Sequence, residues 1–120
     1  MLDKPPLGLF VSGTDTEVGK TYVSAIIAKS LVKNGHRVGV YKPVASDCVS
    51  DGRELVSEDA VELWEAAGRP LSLNIVCPQR FQAPLAPHLA ARQEGKEVDV
   101  ELLRTGISAW VGHCDIVIVE

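Results

Sequence analysis

The sequence predicts an α/β fold in which helices cover both faces of a mostly parallel sheet, a three-layer α/β/α arrangement. Three observations carry that prediction. A short apolar run, Leu7 to Ser12, feeds a glycine-bounded turn and then a stretch with helical apolar spacing. A second short run, Arg37 to Tyr41, follows that helix at once. A third, Asp115 to Glu120, is apolar from Ile116 to Val119 and follows three more helical stretches. Short apolar runs alternating with helices are what strands buried on both faces of a parallel sheet require.

The elements follow in order. Leu7 to Ser12 reads as a buried strand that ends at Gly13. Val23, Ile26, Ile27, Leu31 and Val32 set a helix over Thr21 to Asn34, with Gly35 as its stop. Arg37 to Tyr41 is the next strand, ended by Pro43. Strand, helix, strand with a short return is a right-handed βαβ unit. Ala45 to Ser57 is polar and reads as loop, and Ser57 then caps a helix through Ala67, stopped by Gly68-Arg69-Pro70. Leu73 to Cys77 reads as a short strand, and Leu85 to Gln93 and Asp99 to Gly112 as helices. Trp64 and Trp110 sit at helical spacing with other apolar residues and are expected core anchors. No repeat, low-complexity tract or linker divides residues 1–120, so one domain is expected. The last strand stops at its C-terminal tip, where open α/β sheets bind ligands. The reading is therefore of a domain incomplete on its C-terminal side.

Composition narrows the function. The 46% hydrophobic and 23% charged residues suit a soluble globular protein. A net charge of −4 with no basic stripe argues against nucleic acid. Cys48, Cys77 and Cys114 are widely spaced, with no C-x-x-C pair, so reduced, partly buried thiols in a cytoplasmic protein are expected rather than zinc or disulfides. The start, "MLDKPPLGLFVSG", is not a signal peptide, and no stretch approaches a membrane span.

The chemistry concentrates in "SGTDTEVGKTY", Ser12 to Tyr22. A strand, a Gly-rich turn and then Gly19-Lys20-Thr21 opening a helix is the context of a P-loop, so a P-loop NTPase-type domain binding ATP and Mg²⁺ is expected. Glycines let backbone N–H groups converge on an anion, and the helix N-terminus adds its dipole. Lys20 reaches phosphate oxygens, and the Thr21 hydroxyl suits Mg²⁺. The loop departs from the common pattern: five residues, not four, separate Gly13 and Gly19. That leaves room for Asp15 and Glu17. Asp15 suits bonding to the loop's own backbone.

"GTDTEVGKT" with "VGVYKPVASD" resembles the dethiobiotin synthetase family, and "SEDA", "RFQAPLAPHLAARQEGK" and "DIVIVE" add weaker matches. The resemblance covers nearly the whole chain but only the family's N-terminal half. It implies an ATP-dependent cyclo-ligase of biotin synthesis. CO₂ adds to one amine of 7,8-diaminopelargonate, ATP phosphorylates the carbamate, and the other amine closes the ureido ring. It also implies a homodimer whose subunits share the substrate site. Thr16, Glu17, Val18, Gly19, Lys20, Thr21 and Tyr22 would hold nucleotide, with Glu17 facing the junction of nucleotide and diamine. Lys42, in "YKPVAS", resembles the family's active-site lysine, so Lys42 and Lys20 are the expected catalytic pair and Ser46 a substrate contact.

Asp59 matches the family's contact to Mg²⁺ and nucleotide, although an acid in a first helical turn also simply favours the dipole. Glu58 beside it is the alternative. Glu120 ends an apolar strand, where P-loop enzymes keep an acid for Mg²⁺, so Thr21, Asp59 and Glu120 form the expected metal set. His88 suits packing or capping, and His36 and His113 read as turn residues. Two rivals stand beside the ligase. A partitioning-type P-loop ATPase would carry another lysine early in the loop, absent from Ser12, Gly13 and Thr14. An amide-forming ligase of cobalamin synthesis would share sheet and loop. A third possibility is a non-catalytic nucleotide-binding portion that needs further chain.

Overall fold

The computed structural model describes residues 5–12 and 19–120. Strand β1 (Leu7–Phe10) is followed by α1 (Lys20–Lys33) and β2 (Val38–Tyr41). The 14 residues of α1 are stopped at Asn34 and Gly35, the latter at φ 88°, where a side chain would be strained. The expected helix was right to within one residue at each end. The polar stretch after β2 holds three two-residue strands, β3 (Val44–Ala45), β4 (Val49–Ser50) and β5 (Leu55–Val56). It was read as loop because so short a pairing leaves no periodicity to detect. Its hairpin β4–β5 is closed by Asp51, whose carboxylate accepts from the Arg53 and Glu54 amides at 2.9 Å each.

Helix α2 (Glu58–Ala66) starts where its cap predicts: the Ser57 hydroxyl accepts from the Ala60 amide at 3.2 Å. Leu73 to Cys77 corrects a strand prediction. It is a helical turn, α3 (Leu73–Val76), with the Ile75 and Val76 amides donating to the Ser72 carbonyl. A five-residue apolar run cannot separate a buried strand from a buried helical turn. Strand β6 (Gln79–Arg80) pairs in parallel with β3. Helix α4 (Pro87–Gln93) begins at its proline, so Leu85 and Ala86 stay outside.

The predicted helix over Asp99 to Gly112 also needs correction. It splits into α5 (Val100–Thr105) and a 3₁₀ segment (Gly106–Trp110). The Tyr41 hydroxyl donates to the carbonyls of Leu102 and Leu103 at 3.4 and 3.3 Å, and a Cβ at Gly106 would collide with that hydroxyl. The chain ends on β7 (Ile116–Val119).

The main sheet has the order β1-β7-β2, with both pairings parallel. Strands β1 and β2, consecutive around α1, are therefore not neighbours; β7 lies between them. This explains the unbroken apolar run of β7, whose Val117 and Ile118 are almost wholly buried. Strand β1 was expected to be buried, but among the described residues it is a sheet edge. It has one neighbour, and Leu7 and Phe10 are 73% and 75% exposed.

The core lies between β2, β7, α1 and α2, with Ala25 and Ala28 giving α1 a small-residue face. Trp110 is fully buried, while Trp64 is partly buried and donates its indole N–H to the Pro70 carbonyl at 3.0 Å. A second cluster joins Phe81, Ala90 and Ala91. All three cysteines are buried free thiols.

Gly39 of β2 has no room for a side chain. A Cβ there would lie 2.6 Å from Trp110 Cε3 and 2.9 Å from Cys114 Sγ. Gly39→Ala is expected to destabilise the fold by about 1–3 kcal/mol through overpacking. Urea unfolding should show a lower midpoint at an unchanged slope; an unchanged midpoint would mean that Trp110 repacks freely.

Candidate functional site

Parallel strands deliver their C-terminal ends to one edge, and the backbone ladder runs one residue past each strand there. The Val11 amide donates to the Val119 carbonyl at 2.9 Å, and the Glu120 amide to the Tyr41 carbonyl at 3.0 Å. Lys42 is fixed next to them, its amide donating to the Val76 carbonyl at 2.8 Å. The turn α3 thus holds Lys42 at the sheet edge, the position that open α/β folds use for ligands.

On the same edge, Gly19 precedes α1 with φ 62°, a left-handed conformation that favours glycine and aims successive N–H groups to one side. Lys20 and Thr21 open the helix and are partly buried. The Thr21 hydroxyl donates to Glu120 Oε1 at 2.5 Å, across 99 residues of sequence. Lys42 Nζ lies 3.6 Å from that same oxygen. The Glu120 side chain is only 2% exposed and that of Lys42 18%. The other carboxylate oxygen, Oε2, is buried without a hydrogen-bond partner among the described residues. A buried polar atom of this kind is costly unless something pairs with it. Its donor set, a carboxylate beside a threonine hydroxyl, is the hard-oxygen chemistry that suits Mg²⁺.

Thr21, Lys42 and Glu120 are thus brought together. Asp59 and Glu58 are not joined to them: both are exposed in the first turn of α2, with no ion pair among the described residues. Nor do three or more His, Cys, Asp or Glu side chains cluster for a metal among the described residues. Ser46 is partly buried beyond β3, and Tyr22 is 67% exposed. Asp15, Thr16, Glu17 and Val18 lie outside the described residues. A cleft at the opposite end of the sheet, lined by Pro5, Leu7, Arg37 and Asp115, is a poorer candidate. Its acid and base already pair with each other at 3.2 Å.

No sequence motif marks the residue that follows the backbone partner of Lys42. Cys77 directly follows Val76, the acceptor of the Lys42 amide. Burial pushes its thiol up to about 12, against a smaller opposing pull from Lys42 and Arg80.

A family of proteins described as an AAA domain matches residues 7–120. The chain belongs to the AAA domain family. This AAA domain is similar to ATP-dependent dethiobiotin synthetase BioD of Rhodopirellula baltica, 52% identical over 114 residues, or 92% of this chain and 44% of that protein. It is 36% identical over 111 residues to the same-named protein of Photobacterium profundum, covering 92% of the chain and 50% of the relative. For that of Ralstonia nicotianae the figures are 37% over 111 residues, 92% and 48%. The AAA domain spans about half the length of the curated relatives it matches.

The Cys77 thiol makes stability of the domain depend on alkaline pH. Its folded value, about 12, lies above the ordinary 9.0, so the unfolded chain loses this proton first as pH rises. The contribution is complete below pH 9 and is lost on the way to 12. Urea unfolding on either side of pH 9 should show that fall, and Cys77→Ala should flatten part of it. A pH dependence identical in the variant would remove Cys77 as its source.

Proposed function

We propose that the protein carrying this domain is an ATP-dependent dethiobiotin synthetase, carboxylating 7,8-diaminopelargonate with CO₂ and closing the ureido ring of biotin synthesis. The observation that carries the proposal is the meeting of Thr21, Lys42 and Glu120 at the C-terminal edge of the parallel sheet. A cation for anions, and oxygen ligands for a cation, stand there beside a helix N-terminus. That is the equipment of phosphoryl transfer, and the names of the similar proteins supply ATP and the product, dethiobiotin.

The reaction balances in three steps. One amine nitrogen bonds to the carbon of CO₂ and loses a proton, giving a carbamate. A carbamate oxygen bonds to the γ-phosphorus of ATP as the bond to ADP breaks, giving a carbamoyl phosphate. The second amine then bonds to the carbonyl carbon, phosphate leaves, and a proton is released. Backbone N–H groups from Thr16 to Tyr22, with Lys20, hold the phosphates. Thr21 and Glu120 would hold Mg²⁺, with Asp59, exposed in the first turn of α2, as the proposed third ligand, and the ion would supply positive charge against the phosphates. Lys42 stabilises the carbamate and the moving phosphoryl group, Ser46 hydrogen-bonds the substrate, and Glu17 faces the amine. The enzyme works as a cytoplasmic homodimer.

A second reading is a nucleotide-binding module without turnover of its own. Incubating purified protein with ATP, Mg²⁺, bicarbonate and the diamine separates the two. Dethiobiotin and ADP in equal amounts support the ligase, whereas nucleotide binding without product supports the module.

In the active protein, Lys42→Gln is expected to lower kcat by ~10²–10³, the usual effect of losing one charged transition-state contact, or ~3–4 kcal/mol. ATP affinity should change less, since Lys20 and the loop remain. An unchanged kcat with strongly weakened ATP binding would make Lys42 a phosphate anchor instead. Asp59→Asn should raise the Mg²⁺ concentration needed for half-maximal rate. If Glu58→Gln does so instead, the metal ligand is the neighbouring residue.

A further inference from the structure

The proposed chemistry asks Lys42 and Glu120 to face opposite kinds of ligand: Lys42 an anion, Glu120 a cation. In the structure they face each other. Lys42 Nζ lies 3.6 Å from Glu120 Oε1, the oxygen that also accepts from Thr21. Both side chains are largely out of water, so the carboxylate needs a positive partner at all times. Lys42 is the one cationic side chain in ion-pair range of Glu120 among the described residues.

We propose that Glu120 is a shared seat, held by the Lys42 ammonium when no metal is present and taken over by a divalent cation when it loads. The two cannot use it together at full strength. An ammonium and a divalent cation a few ångströms apart repel, and one carboxylate carries a single charge to set against them. Lys42 also has a place to go: its side chain is a flexible four-carbon stem on a backbone anchored through Val76, at the edge where phosphate would lie. Metal loading therefore releases the lysine toward the anion at the moment the nucleotide is ready. Glu120 acts as a positioning residue for Lys42 as well as a cation ligand. The inference rests on the assignment of Glu120 to the metal in the proposed function.

The test is Mn²⁺ binding, read by electron paramagnetic resonance on the full-length protein at saturating ADP, with no turnover involved. Lys42→Gln removes the competitor and should bind Mn²⁺ ~5–10-fold tighter, as loss of a partly buried ion pair of about 1–1.4 kcal/mol implies. Lys42→Arg keeps the pair and should stay near wild type. Unchanged or weaker binding by Lys42→Gln, with Glu120→Gln still weakening it, would overturn the competition while leaving the metal assignment standing. Mn²⁺ binding insensitive to Glu120→Gln would overturn both. A crystal structure of the wild-type protein with Mn²⁺ and ADP gives an independent reading. Lys42 Nζ withdrawn from Glu120 supports the shared seat, and an intact pair beside the bound metal overturns it.

Discussion

The parallel insertion of β7 between β1 and β2 is the constraint on which the rest of this domain depends. It makes neighbours of segments more than seventy residues apart in sequence, pairing Tyr41 and Phe10 with Val119 on either side. Glu120 follows Val119 directly, so the same register that buries the apolar strand sets a carboxylate at the sheet edge. The amide of Glu120 is tied to the Tyr41 carbonyl, and the next residue along β2 is Lys42. The ion pair is thus a by-product of sheet register. A slip by one residue would turn the acid to the other face.

Burial then decides the electrostatics. Glu120 keeps almost no contact with water, and one of its oxygens has no hydrogen-bond partner among the described residues. Water would solvate such a group for little cost, but among the described residues at this edge only the Thr21 hydroxyl and the Lys42 ammonium serve it. Those partners come from the first helical turn and the end of the second strand. The acid therefore senses both elements that would touch a nucleotide. Asp115, at the other end of β7, shows the contrast. It is exposed, its carboxylate held below the usual range by the Arg37 amide and then by the Arg37 side chain. That pair ties the end of the strand to the start of β2 with its charges already matched.

Tight packing behind the sheet holds the edge in place. Gly39 and Tyr41 share one face of β2, and the fully buried Trp110 fills the space that a side chain on Gly39 would need. Tyr41 reaches past Gly106 to the carbonyls of α5, and a regular helix through Gly106 gives way to a 3₁₀ turn there. On the far side of Lys42, the helical turn α3 supplies the carbonyl of Val76. The lysine backbone is therefore fixed by this hydrogen bond, while its side chain reaches Glu120.

Helix α1, the capped start of α2 and the existence of β1, β2 and β7 were legible in the sequence because each rests on local chemistry: apolar spacing, a serine cap, a glycine stop. Lys20 and Thr21 were legible as candidates from the loop motif and Glu120 from its place at a strand end, whereas Lys42 was marked out by the family resemblance of "YKPVAS" and not by its position. Sequence by itself determined these local elements and the kinds of side chain available for chemistry. Tertiary structure alone decided that Leu73 to Cys77 turns as a helix, since an apolar run of that length buries equally well either way. It decided that β1 is an edge among the described residues, since strand order is set by pairing and not by composition. It also decided that Lys42 meets Glu120 while Asp59 stays in solvent. Coulomb attraction depends on distance in space, and only the folded sheet brings an ammonium within 3.6 Å of a buried carboxylate so far along the chain.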